Sequence, residues 1–364
     1  VSTQPTYRAL VFGAALLGIA GLALATFAQN AGAQARATAS AAKIEVTPVR
    51  ANIYVLSGAG ANIIASVGRD GVFLVDTGLE QNVEPMLAAL AQLQKMIDFA
   101  RPPGERFGAE GNFATLLEPY YRSEPPKPIR YIANTTFALD HIGGNAKLRA
   151  AGKTFTGGNV AGEIDVTSEG AAILGYEKLL DRMEQAKLPS QGLPTESFFG
   201  DHMKLSQFFN GEGVVLYHAP AASTDADSIV NFRGSDVFAT GDIFRMSAFP
   251  KIDIERGGSI QGVLAALNRL IDMSVAEFRT EGGTMVIGGH GRIGDLADLT
   301  YYRDMSTIIR DRVQDLIKKG MTLAQVKAAK PSEDWDGRFG GDPSWTPEMF
   351  VEAIYKSLTA PPKK

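Results

Sequence analysis

Residues 135–144 read Thr135-Thr136-Phe137-Ala138-Leu139-Asp140-His141-Ile142-Gly143-Gly144, and their placement decides how the rest of the chain is read. They follow Ile129 to Ala133, an apolar run with the character of a buried strand, and precede a helical stretch from Asn145 to Ala151. An Asp-His pair so placed lies on a strand-end loop, where a rigid scaffold presents functional side chains. The adjoining Gly143 and Gly144 permit a tight turn and close backbone approach. Outward from this stretch, four more loaded positions stand at strand ends: Asp76-Thr77-Gly78, Ser223-Thr224-Asp225, Gly241-Asp242 and Gly289-His290-Gly291. Taken singly each has an ordinary structural reading, since a lone histidine is commonly a hydrogen-bonded core residue and an aspartate before a helix is commonly a cap.

The intervening sequence alternates sheet blocks with helices. Strands are read over Ile44 to Ser57, Asn62 to Val67 and Gly71 to Val75, then a helix from about Asn82 to Ala100. Arg101 to Pro128, rich in Pro, Gly and Glu, reads as an inserted loop with a short helical piece around Phe113 to Tyr121. Gly170 to Gln185 reads as a helix, Lys204 to Phe209 and Gly213 to Tyr217 as strands, and the pattern recurs with strands at Asp227 to Phe232, Asp236 to Thr240 and Thr284 to Ile287 around an amphipathic helix from Ser259 to Met273. Helices over Asp298 to Lys318, after Thr322, and from Thr346-Pro347-Glu348 to about Leu358 close the chain. Two sheet blocks with helices on their outer faces form an α/β four-layer αββα sandwich, here with extra C-terminal helices.

Bulk properties narrow the chemistry. A net charge of −4 without a basic run gives no footprint for nucleic acid. With no cysteine, a metal has only His, Asp and Glu as strong ligands, and the histidines are His141, His202, His218 and His290. Ala9 to Ala28 is uncharged and mostly apolar after Arg8, the pattern of a secretory signal ending at Ala31-Gly32-Ala33 or of an N-terminal apolar helix retained as a membrane anchor. Either places the body of the protein outside the cytoplasm, in the periplasm or on the outer side of the inner membrane. The division expected is 1–33 signal or anchor, 34–43 linker, 44–298 main domain and 299–364 a helical extension packed on it.

In order, the five strand-end motifs resemble the metallo-β-lactamase superfamily over more than two hundred residues. The signature of that family is Thr-His-x-His-x-Asp-His-x-Gly-Gly; Asp140 and His141 match it, while Thr136 and Ala138 stand where histidines are expected. Ser223 stands at the third missing histidine; Asp242 matches the bridging aspartate and His290 the last histidine. The resemblance implies that one half of a two-metal site is emptied, at Thr136, Ala138 and Ser223, and that Asp140, His141, Asp242 and His290 of the other half hold one divalent ion, Zn²⁺ foremost, with Fe²⁺ or Mn²⁺ as alternatives.

The implied function is hydrolysis of an ester, lactone, thioester or amide through a metal-bound water, with Asp140 as the base. Four protein ligands on one zinc would instead fill a tetrahedral site and make it structural. A second reading therefore stands beside the first: a non-catalytic binding or assembly subunit, membrane-tethered through residues 9–28 and meeting a protein partner instead of a small-molecule substrate. A β-lactam-degrading role is a third. His218 is read as a hydrogen-bonded histidine near the site rim, and His202 as a surface or loop histidine, with a place at a pocket mouth beside Phe198-Phe199-Gly200 as its alternative; Asp225 and Asp227 are read as fixing their loop through backbone N–H groups.

Overall fold

Two sheets stack face to face, with helices covering both outer surfaces. The computed structural model describes residues 43–97, 127–154, 170–206, 208–277 and 282–360. The first sheet contains β1 (Glu45–Arg50), β2 (Ile53–Ser57), β3 (Ile63–Gly68), β4 (Gly71–Val75), β5 (Ile129–Ala133), β6 (Ala172–Tyr176) and β7 (Glu196–Phe198), paired in that order. β1 to β4 run as an antiparallel meander, and β4 to β7 are parallel. Parallel neighbours need crossovers. These are supplied by α1 (Val83–Met96), the short α2 (Leu139–Ile142) with α3 (Asn145–Ala151), and α4 (Glu177–Gln185).

The second sheet is ordered β12-β11-β10-β9-β8. Its strands are β8 (His202–Lys204), β9 (Val214–His218), β10 (Ser228–Phe232), β11 (Val237–Ala239) and β12 (Met285–Ile287). α5 (Ile260–Met273) carries the crossover from β11 to the parallel β12. Then follow α6 (Leu296–Lys318), α7 (Leu323–Ala328), α8 (Glu333–Phe339) and α9 (Pro347–Thr359).

Strand alternation explains the layering. In β4, Phe73 and Val75 face inward to a cluster with Leu216, Val230 and Phe232 of the opposite sheet, while Val72 and Leu74 face outward to Met86, Leu90 and Leu93 of α1. Each such side chain contributes about 1.5–3 kcal/mol when fully buried. The outer face of the second sheet is covered by α5, α6 and α9 through Leu267, Ile309 and Phe350, in one cluster with Phe238 and Val286. The four-layer α/β sandwich is thus observed, and the C-terminal helices share its core.

Three sequence-based assignments are corrected. Ala172–Tyr176, read as the start of a helix, is a central strand whose partners are β5 and β7, and the helix begins only at Glu177. The strand read over Lys204 to Phe209 is His202–Lys204, displaced because its partner β9 pairs there, Lys204 opposite Val215. The run Ile44 to Ser57 is a hairpin of two strands, broken where Ala51 takes positive φ. The apolar N-terminal segment, and the loop with its helical piece around Phe113 to Tyr121, lie outside the described residues. Among the described residues, no helix is long and apolar enough to cross a membrane.

Candidate metal centre

Asp76 ends β4 in a left-handed backbone conformation, φ 63°, and is buried. Its carboxylate accepts the Thr135 backbone N–H at 2.8 Å and the Thr135 hydroxyl at 2.5 Å, tying the ends of the parallel strands β4 and β5 together. It also contacts His141 Nδ1 at 2.7 Å. A carboxylate on Nδ1 fixes the ring's tautomer and orientation, and turns Nε2 toward the cleft between the sheets.

The second sheet brings two further candidate ligands by register. Ala239 of β11 pairs with Ile287 of β12, and Asp242 and His290 follow their strands at the same offset. Close approach of the two sheets' loops depends on glycine. A Cβ on Gly289 would lie 2.8 Å from His141 Cε1, and one on Gly241, which has φ 53°, would lie 2.4 Å from Thr135 Oγ1.

Asp140, His141 and His290 can each bring one ligand atom within 4.8 Å of the others. Asp242 joins through the imidazoles: its Oδ1 lies 3.4 Å from His141 Nε2 and 3.5 Å from His290 Nε2. His290 Nε2 lies 3.1 Å from Asp140 Oδ2. His141 Nε2, His290 Nε2 and Asp242 Oδ1 are all buried without a hydrogen-bond partner. Bonds of about 2.1 Å at tetrahedral angles put neighbouring ligand atoms about 3.4 Å apart, so the residues fit a small divalent ion. Unpaired buried polar atoms are otherwise costly. His141 and Asp242 are fully enclosed, whereas Asp140 and His290 retain partial exposure and form the open side.

The charges are strongly coupled. Burial alone would raise the Asp140 pKa, but His290, His141 and Lys251 nearby outweigh it and hold the carboxyl down to about 2. Asp242 is likewise held far below the usual carboxylate range, burial being outweighed by His141, Arg245 and His290. Burial opposes a charge on His141, yet Asp76 and Asp242 on its two sides raise its pKa well above the ordinary value. A proton on Nε2 and an ion therefore compete for the same lone pair.

The same residues fall inside a family match: residues 48–290 match the model of the Metallo-beta-lactamase superfamily. The chain belongs to this superfamily. Its members typically bind zinc or other divalent metals, and the His/Asp cluster offers a place for one. A search of curated proteins gave no match. Among solved structures, the stereoselective inverting sec-alkylsulfatase Pisa1 from Pseudomonas sp. is similar at 14% identity and TM-score 0.55, covering 87% of this chain and 50% of that one. A metallo-beta-lactamase from Pontibacter korlensis aligns at 13% identity and TM-score 0.49, over 72% of this chain and 99% of its own. At such identities the likeness concerns the fold.

Two of the three positions that the superfamily signature fills with histidine, Thr136 and Ser223, are engaged in other bonds. Thr136 Oγ1 donates to Asp227 Oδ1 at 2.7 Å, and the Thr224 N–H and hydroxyl both donate to the same carboxyl at 2.7 Å. Burial outweighs these bonds and pushes the Asp227 pKa up to about 7. Ser223 Oγ donates to the Lys251 carbonyl at 2.5 Å. Ala138 is the N-cap of α2 and makes no side-chain bond.

His218 stacks on Tyr176 with ring centroids 3.5 Å apart, and its Nε2 faces the Asp225 carbonyl, so it is a packed histidine. His202 lies at the surface beside Asp201 and Tyr217. Asp227 fixes its loop through a backbone N–H, as read from sequence. Asp225 does not; it pairs with Arg182 and Lys178 side chains because α4 packs beside it. Sequence reasoning missed the orienting role of Asp76, and it missed Arg245, whose Nε lies 3.5 Å from Asp242 Oδ1. The spacing Asp242-x-x-Arg245 was the available signal for the latter.

Proposed function

We propose that this chain is an extracytoplasmic hydrolase that works with at most one divalent ion, Zn²⁺ foremost and Fe²⁺ or Mn²⁺ as alternatives, on an ester, lactone, thioester or amide. The observation that carries this reading is the set of three buried ligand atoms without partners, His141 Nε2, His290 Nε2 and Asp242 Oδ1, turned toward one another beside a partly exposed Asp140. When bound, the ion would polarise the substrate carbonyl and acidify water. His141 and His290 would hold it as neutral imidazoles, His141 being oriented by Asp76. Asp140, ionised at neutral pH and on the open side, would take up the proton released during hydrolysis. Asp242 is divided between the imidazoles and Arg245, so the ligand set is less closed than a count of four ligands implies. The extracytoplasmic location rests on the apolar stretch from Ala9 to Ala28.

Elemental analysis of the purified protein after loading with Zn²⁺ and desalting is the deciding experiment. About one ion per chain is expected, and His290→Ala should lower the affinity by at least a factor of about 100. A wild-type protein that retains no ion overturns the proposal. A panel of ester, lactone, thioester, amide and β-lactam substrates then assigns the chemistry. Bound metal with no turnover would favour the second reading, a binding or assembly module, which the closed bonds around Thr136 and Ser223 support.

A further inference from the structure

Arg245 is a buried cation with two carboxylates on it and polar atoms to spare. Its side chain is 6% exposed, Nη2 lies 2.9 Å from Asp342 Oδ2 and Nε lies 3.5 Å from Asp242 Oδ1. Nε and Nη1 have no hydrogen-bond partner. The backbone of Arg245 bridges that of His290, so the residue is built into the loop pair that carries two of the ligands.

Asp342 comes from elsewhere. It lies between α8 and α9, beyond the residues that match the superfamily, and is firmly held. Ser344 donates to its Oδ1 from the backbone at 2.9 Å and from the hydroxyl at 2.6 Å. The segment around it is fastened to the strip after Arg245 by the Ala248–Gly340 bridge and by Trp345 Nε1 donating to the Pro250 carbonyl at 3.0 Å.

A guanidinium stays charged in a protein, and a buried charge demands a counter-charge. Arg245 takes that counter-charge from two sources, and one is the oxygen that also faces both imidazoles. A divalent ion and the guanidinium thus draw on the same Asp242 oxygen. We propose that Arg245 acts as a fixed internal cation that sets the metal affinity of the centre, and that Asp342 of the C-terminal segment, by holding the guanidinium, governs how much of Asp242 is left for the ion. The inference rests on the metal-binding reading above, and Arg245 is a positioning residue in it.

The two ends of this chain of charges should move metal affinity in opposite directions. Arg245→Met frees Asp242 and should tighten Zn²⁺ binding about tenfold; Asp342→Asn leaves the guanidinium leaning on Asp242 alone and should weaken it about tenfold, the scale of effect for groups just outside a ligand set. The measurement is a competition titration of the full chain against a chromogenic chelator at fixed pH, with Trp345→Phe as a control that loosens the same segment without touching the charges. That control should stay within a factor of two. Weakening in both Arg245→Met and Asp342→Asn, as a merely structural role requires, overturns the proposal, as does no change in either. If Arg245→Met does not fold, the double variant Arg245→Met/Asp342→Asn also neutralises the carboxylate that would lose its guanidinium partner. It should bind more tightly than wild type, and weaker binding overturns the proposal equally. A wild type that binds no ion beside a variant lacking Arg245 that binds one would sink the functional reading and support this one; absence of binding in both sinks both.

Discussion

The two halves of the cleft are lined by the same strand-end loops and have opposite polar accounting. In one half, His141 Nε2 and His290 Nε2 face Asp242 Oδ1 at 3.4 and 3.5 Å, all three buried without hydrogen bonds, beside a partly exposed Asp140. Around Thr136 and Ser223, the Thr136 and Thr224 hydroxyls donate to the Asp227 carboxyl and the Ser223 hydroxyl to the Lys251 carbonyl. Unpaired buried polar atoms are costly, so the first half fits an ion, whereas the second has its polar atoms satisfied by the protein. The contrast is sharpest in the carboxyls: Asp242 is held ionised beside cationic neighbours, whereas Asp227 keeps a proton up to about pH 7.

Three substitutions would break or sharpen that contrast. The largest effect is expected for Asp76→Ala, which strips His141 of its buried partner and removes the tie between β4 and β5. Chemical denaturation should show a loss of about 3–5 kcal/mol, the cost of leaving a buried pair half-made, together with loss of metal affinity. Next is Asp227→Asn. Because the folded-state pKa of Asp227 is raised to about 7, the folded chain holds a proton that the unfolded chain gives up near pH 4. The resulting stabilisation is complete below about pH 4 and is lost as pH rises to 7, at up to about 1.4 kcal/mol per pH unit. The stability difference between wild type and Asp227→Asn, measured by urea unfolding from pH 5 to pH 8, should follow that slope and level off above 7; a flat difference would contradict a protonated Asp227. The smallest effect is expected for Thr136→Val, which removes one hydroxyl bond from the closed half and should cost about 1 kcal/mol in the same assay. Its Zn²⁺ stoichiometry should equal that of wild type, since the two halves do not share this residue.

Much of the cleft was legible because its parts are local. Asp140 and His141 are neighbours in sequence, and β4, β5 and β10 are apolar runs bounded by turn residues. β6 was misread because Ala172–Tyr176 runs straight into Glu177–Gln185 with only Gly175 as a break, and a short apolar run cannot reveal whether a sheet or a helix will claim it. The partners on either side decided. The pairing of Arg245 with Asp342 was out of reach for a different reason: their salt bridge joins residues 97 apart, and no local pattern marks either as the other's counter-charge. Asp76 looked like a strand-end aspartate and was one; that it would hold the ring of His141, 65 residues away, followed only from the packing of the two loops.

The parallel pairing of β11 with β12 has a consequence for how the molecule comes into being. Asp242 and His290 become neighbours only when the crossover through α5 has closed and Thr240 Oγ1 meets the Ile287 carbonyl, 47 residues on. The entropy of closing that loop is spent before the two side chains can meet. An ion that binds only the completed centre is expected to slow unfolding more than it speeds folding, which unfolding and refolding rates with and without Zn²⁺ would check.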